Sequence, residues 1–126
     1  MDTSHTWVAI VDDEAAIRRA LLRLMRAAGV PARAFASGAE LLAVLPASRP
    51  CCALLDLHMP AMSGLDLQAR LAALAPATGV ILMSGHPTPA QQAGASRRPP
   101  LACLLKPVDE RALLDAIAAA CPTLAP

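Results

Sequence analysis

Apolar residues along the chain fall into short runs of two kinds. Trp7-Val8-Ala9-Ile10-Val11 is apolar throughout and ends abruptly at Asp12-Asp13-Glu14. An unbroken, partly β-branched run of this length suits a strand covered on both faces, as in a parallel sheet. Ile17, Leu21, Leu24, Met25 and Ala28 then recur at helical spacing, with Gly29 as the stop. Ala32 to Phe35 reads as a weak second strand. Ser37-Gly38-Ala39-Glu40 has the form of a capping box, in which the Ser37 hydroxyl and the Glu40 carboxylate satisfy each other's amides. The helix it opens carries Leu41, Leu42 and Leu45 and stops at Pro46. Cys51 to Leu55 is a third strand, delivering Asp56; Pro60 and Gly64 then lead to a helix with Leu65, Leu67, Leu71 and Leu74. Gly79 to Met83 is a fourth strand before Ser84-Gly85, and Leu101 to Leu105 a fifth before Lys106-Pro107. Asp109 caps a last helix that buries Leu113, Leu114 and Ile117.

Strands alternating with helices imply right-handed crossovers and a parallel sheet covered on both faces. The expected fold is an α/β, flavodoxin-like doubly wound sandwich with five strands and about five helices. The fourth of these helices is the weak one. The stretch 86–100 has prolines near both ends, Gly94 inside, and only Ala90, Ala93 and Ala95 to bury. It is expected to be short or disordered, with one or two turns at most. The whole chain, 1–126, is expected to be a single domain with a core over about 7–120, and 121–126 a tail or the start of a linker.

Composition narrows the picture further. Hydrophobic residues make up 56% of the chain, but Ala supplies many of them. No run approaches the roughly 18 apolar residues of a membrane span. The N-terminus has no basic patch leading into an apolar stretch, so a cytoplasmic protein without membrane contact is expected. Lys plus Arg total 11 against 10 for Asp plus Glu. That balance argues against direct nucleic-acid binding by this domain. Arg18, Arg19, Arg23 and Arg26 read as a solvated helix face. Cys51, Cys52, Cys103 and Cys121 contain no C-x-x-C pair and are expected to be reduced and structural.

In a doubly wound sheet, chemistry is sought just past the carboxyl ends of the strands. Four of the five strands deliver polar residues there: Asp12 and Asp13, then Asp56, Ser84 and Lys106. Each alone could be a cap. Together they are a constellation. Three converging carboxylates repel one another unless a cation joins them, and an incomplete all-oxygen site favours Mg²⁺. With a lysine and a hydroxyl, these are the parts needed to place a phosphoryl group on a carboxylate nucleophile.

The strings Ile10-Val11-Asp12-Asp13-Glu14, Leu55-Asp56-Leu57-His58-Met59-Pro60-Ala61-Met62-Ser63-Gly64, Met83-Ser84-Gly85-His86 and Leu105-Lys106-Pro107 resemble the signature segments of bacterial response-regulator receiver domains. Their order agrees, with intervals of 43 residues from Asp13 to Asp56, 28 to Ser84 and 22 to Lys106. The resemblance implies that Asp56 is the phosphoacceptor. It implies that Asp13 binds Mg²⁺ directly, Asp12 directly or through water, and the His58 backbone carbonyl as a further ligand. Ser84 would be the switch hydroxyl, Lys106 would pair with the phosphoryl, and Pro107 would follow a cis peptide. The implied partners are a sensor histidine kinase or phosphotransfer protein and an output domain or target, with homodimerisation on phosphorylation. The wording is closest to receivers that precede helix-turn-helix outputs, hence transcription regulation. Its enzymatic content would be slight, limited to Mg²⁺-dependent self-phosphorylation and slow autodephosphorylation. The His58 imidazole reads as a solvent-facing loop side chain, and His5 and His86 as bystanders.

Two departures stand out. Cys103, three residues before Lys106, occupies a place where receivers usually carry Tyr or Phe, and 86–100 lacks the usual apolar stripe. They motivate an alternative, an interaction module with a receiver fold that works without phosphorylation. A phosphatase using an aspartyl-phosphate intermediate would want a second carboxylate two residues after Asp56, where His58 stands. A nucleotide site fails for want of a Gly-rich loop after the first strand.

Overall fold

Val8–Val11 contains no polar side chain and is buried along its whole length, so this strand, β1, has no face to give to water. β3 (Cys52–Asp56) is the same kind of segment, and β4 (Gly79–Ser84) is buried from its second residue on. β2 (Ala32–Phe35) and β5 (Ala102–Leu105) flank these three. All neighbours pair in parallel, in the order β2-β1-β3-β4-β5. The structure, a computed structural model, describes residues 7–85 and 102–121. The short helix expected over 86–100 lies outside the described residues, as do His5 and His86.

Four helices are described: α1 (Ala15–Ala27), α2 (Gly38–Val44), α3 (Gly64–Leu74) and α4 (Glu110–Ala120). The two-residue period of the strands sends alternate side chains to opposite faces. Ala9, Val11, Ala53, Leu55, Val80 and Leu82 meet Leu41, Leu45, Leu67 and Leu71 of α2 and α3. Val8, Ile10, Leu54, Ile81 and Met83 meet Leu21, Met25, Leu113 and Ile117 of α1 and α4. Each fully buried Leu or Ile contributes roughly 1.5–3 kcal/mol relative to exposure. The flavodoxin-like sandwich is the one the alternation predicts.

Local signals held with one displacement. α1 is capped at Ala28, and Gly29 follows with φ 74°, the left-handed conformation that glycine supplies at helix ends. Asp109 caps α4 by accepting from the Ala112 amide at 2.8 Å. At α2, the Ser37 hydroxyl accepts from the Glu40 amide at 3.3 Å, but the Glu40 carboxylate reaches one residue further back, to the Ala36 amide at 3.2 Å. The reciprocal box forms instead at α3, between Ser63 and Asp66. Among the described residues, no helix is long and apolar enough to cross a membrane.

The cysteine expectation needs correction. Cys51 and Cys121 form a disulfide, with Cα atoms 5.9 Å apart; Cys52 and Cys103 are free. The winding returns the C-terminal end of α4 to the start of β3, a meeting across 70 residues that no local spacing announces. Burial pushes the Cys52 thiol up to about 12, which suits a small apolar residue and not a nucleophile.

Two glycines mark close approaches of different kinds. A Cβ on Gly64 would lie 2.6 Å from the Asp56 carbonyl oxygen and 2.9 Å from the Leu57 Cα, both backbone atoms. A Cβ on Gly38 would meet the Met62 sulfur at 2.8 Å, the far end of a flexible side chain. Gly64→Ala should therefore cost about 1–3 kcal/mol in urea denaturation, and Gly38→Ala clearly less. Equal losses would show that the backbone after Asp56 yields as readily as a methionine tip.

Candidate functional site

The sheet order reverses between β1 and β3, and both strands release an aspartate at that edge. Val11 pairs with Leu55, so Asp12 and Asp56 leave adjacent strands at the same level. Both carboxylates are buried. Asp13, the next residue, is exposed, yet carboxylate oxygens of Asp12, Asp13 and Asp56 lie within 4.8 Å of one another. Three oxygen donors in that compass could hold a hard divalent cation.

Lys106 arrives from the end of β5, held by its amide donating to the Ser84 carbonyl at 2.9 Å and followed by a cis peptide to Pro107. Its Nζ donates to Asp12 Oδ2 at 3.0 Å and lies 3.5 Å from Asp56 Oδ2. The lysine thus bridges two of the three carboxylates. Asp12 is the nearer partner, which the sequence did not suggest. Asp12 Oδ1 accepts from the Glu14 amide at 2.9 Å, and its carbonyl accepts from Arg18 at 2.7 Å. Arg18 therefore secures the end of β1 and is not merely part of a solvated stripe; Arg19, Arg23 and Arg26 are exposed as expected.

Charge and burial compete here. Burial pushes the Asp56 carboxyl above its ordinary 3.8; the His58 amide pulls it back, the Asp12 charge adds to the rise, and Lys106 opposes it. For Lys106, burial works against the charge. The hydrogen bond and charge of Asp12, with those of Asp56, nevertheless carry it above its ordinary 10.5.

His58 is tied to the site twice. Its amide donates to Asp56 Oδ1 at 3.1 Å, and its ring Nε2 lies 3.1 Å from Ser84 Oγ, the tautomer setting which of the two donates. The residue is exposed, as the solvent-facing reading expected, but its ring tip is also engaged with Ser84. Ser84 itself is buried at the end of β4. Ala61, in the same loop as His58, has φ 68°, a left-handed conformation uncommon for a residue with a side chain. Cys103 is half-buried and packs on the α2–α3 side of the sheet.

These observations define a doubly wound α/β protein with a cluster of three carboxylates and one lysine at the reversal point of its sheet. The family model of the response regulator receiver domain matches residues 8–118. The chain belongs to that family. It is 34% identical over 113 residues to nodulation protein W of Bradyrhizobium diazoefficiens, covering 90% of this chain and 50% of that protein. It is 35% identical over 117 residues to response regulator protein TmoT of Ectopseudomonas mendocina, covering 93% and 53%. The chain thus spans about half the length of these relatives. Among solved structures, FixJ-N superposes with a TM-score of 0.84 at 28% identity over 98% of both chains. StyR gives 0.82 at 32%, covering 94% of this chain and 60% of that one.

A raised Asp56 has a consequence for stability. From pH about 4 upward, the unfolded chain gives up this proton while the folded protein still holds it. Stability from this group therefore falls through the window that opens at the unfolded value and closes at the raised folded one. Asp56→Asn should remove that fall, so without divalent cations the variant should melt higher than the parent at neutral pH. The gap should close in acid. A lower melting temperature for the variant at neutral pH would mean that the Lys106 pairing outweighs burial.

Proposed function

We propose that Asp56 accepts a phosphoryl group in a Mg²⁺-dependent reaction and that the domain relays this state as a signalling switch. The observation that carries the reading is a buried Asp56 carboxylate beside both an acidic cluster and the Lys106 ammonium, 3.5 Å away. The donor is the phosphohistidine of a sensor histidine kinase or phosphotransfer protein. The phosphorylated state is passed on to an output domain or a target protein, with homodimerisation on phosphorylation as one route to it. The whole chain acts as a single receiver unit.

Asp12, Asp13 and Asp56, with the His58 backbone carbonyl, would hold Mg²⁺. Bound there, the ion offsets the carboxylates' repulsion and the charge on the phosphoryl oxygens. An Asp56 carboxylate oxygen forms the new bond to phosphorus as the phosphorus–nitrogen bond to the donor imidazole breaks. Lys106 exchanges its contact with Asp56 for the phosphoryl while keeping Asp12. The Ser84 hydroxyl donates to a phosphoryl oxygen. The same residues support self-phosphorylation from small acyl phosphates and slow hydrolysis.

Incubation with a small acyl phosphate and Mg²⁺ should add one phosphoryl group by intact mass, and Asp56→Asn should abolish it. Robust labelling of the Asn variant would remove Asp56 from its role. No labelling of the parent by either a small donor or phosphohistidine would favour the phosphorylation-independent module.

Millimolar Mg²⁺ should also raise the melting temperature relative to chelator. A native-state ligand at about ten to a hundred times its Kd adds roughly 1–3 kcal/mol. Asp13→Ala should erase most of the shift, because Asp13 is the exposed member of the cluster and is not paired with Lys106. An unchanged shift in that variant would place the ion elsewhere.

A further inference from the structure

The Cys51–Cys121 bond lies at the edge of the sheet opposite the acidic cluster and serves none of the chemistry above. Cys51 immediately precedes β3, whose other end carries Asp56, and Cys121 caps the C-terminal end of α4. We propose that Cys51 and Cys121 are a reversible redox site, a two-electron thiol–disulfide pair that clasps or releases the last turn of α4. The inference does not rest on phosphorylation of Asp56.

Three observations carry it. First, the bond is not the only tie on the end of α4. The family match ends at residue 118, short of Cys121. α4 is docked through Leu113 and Ile117, and the Cys121 amide already donates to the Ile117 carbonyl at 2.7 Å. Second, the reduced state has a place for its polar group. The Cys51 sulfur lies 3.4 Å from the Trp7 carbonyl oxygen, where a thiol can donate. Third, the pair is insulated from exchange with its neighbour. Cys52 is buried and its thiol is pushed up to about 12, so it supplies almost no thiolate to attack the bond.

The oxidant is a small-molecule disulfide of the glutathione class. The Cys51 thiolate, the more exposed of the two at 9% against 2%, attacks one sulfur of that disulfide and expels a first small thiol. The Cys121 thiolate then attacks the Cys51 sulfur of the mixed disulfide, closes the protein bond and expels a second. Two protein thiols and one small disulfide become one protein disulfide and two small thiols, whose thiolates take up the two protons released. Reduction runs the same steps backwards. Access comes from fraying of a helix terminus, a low-energy opening in most folds.

The test equilibrates the full chain in reduced and oxidised glutathione mixtures, quenches in acid and counts alkylated cysteines by intact mass. Circular dichroism follows the fold, and hydrogen exchange follows the peptide covering 113–121. Two thiols should become reactive together as the buffer turns reducing, with the circular dichroism unchanged. Exchange in the last turn of α4 should rise tenfold or more, while α1 stays as it was. Cys51→Ser, or Cys121→Ser if the first fails to fold, should show the reduced pattern in every buffer. Three results would each overturn the proposal: alkylation of both Cys51 and Cys121 in the native protein under all mixtures, loss of the bond only together with the fold, or identical exchange in both redox states.

Discussion

Like charge in a dry place is the constraint on which the rest of this structure turns. Asp12 and Asp56 leave adjacent buried strands and cannot move apart, because the register of β1 and β3 holds their backbones side by side. A folded protein keeps such a pair ionised only if cations face it. Lys106 does this from β5, two strands beyond β3 in the sheet, with 3.0 Å to one carboxylate and 3.5 Å to the other. The site is poised and incompletely neutralised: three carboxylates face one ammonium. That deficit is what a divalent cation would offset, as in the reading proposed above.

Much of this was legible in the chain because parallel sheets write themselves plainly. A strand buried on both faces has to be apolar at successive positions, so Val8–Val11 and Cys52–Leu55 stand out against the helical periodicity between them. Each strand's carboxyl end is then simply the next polar residue, which is how Asp12, Asp56, Ser84 and Lys106 could be placed on one edge before any coordinates. What stayed hidden depends on distance through space. The preference of Lys106 for Asp12 links residues 94 apart and follows from side-chain reach across β3 and β4. The Cys51–Cys121 pairing depends on where α4 ends over the sheet, and four cysteines without a spacing motif do not reveal it. His58 offered no signal beyond lying two residues after Asp56. The Ser63–Asp66 box, by contrast, was written in the sequence as Ser-x-x-Asp before an apolar run.

The two redox states and the charged edge belong to different ends of the same elements. β3 runs from just after Cys51 to Asp56, and α4 runs from Glu110, a few residues after Lys106, to Ala120 with Cys121 as its cap. Their shared packing, Leu54 with Leu113 and Ile117 in one core cluster, lies between the ends. A change at Cys121 therefore reaches the Lys106 side only by shifting a helix whose main contacts are fully buried leucine and isoleucine. Packed interiors resist such displacement. The expected effect is local to the last turn.

The backbone around Asp56 is similarly firm, and this bears on how a change at its carboxylate would be felt. Leu57 donates to the Met83 carbonyl at 2.9 Å, Lys106 to the Ser84 carbonyl at 2.9 Å, and Gly64 to the Leu57 carbonyl at 3.2 Å. The ends of β3, β4 and β5 are thus stitched together just beyond the sheet, and Gly64 sits too close to Asp56 for the loop to slide. New charge on Asp56 must be answered first by side chains: Lys106, which holds two carboxylates and can hold a third anion, and Ser84, whose hydroxyl already touches the His58 ring. His58 meets Asp56 through its amide and Ser84 through its imidazole. It is thus bonded to both the Asp56 carboxylate and the Ser84 hydroxyl. Where receivers usually place an aromatic ring on the fifth strand, this chain has the smaller Cys103, on the α2–α3 side. In place of that ring, the described contact between the loop after β3 and Ser84 is the His58 imidazole.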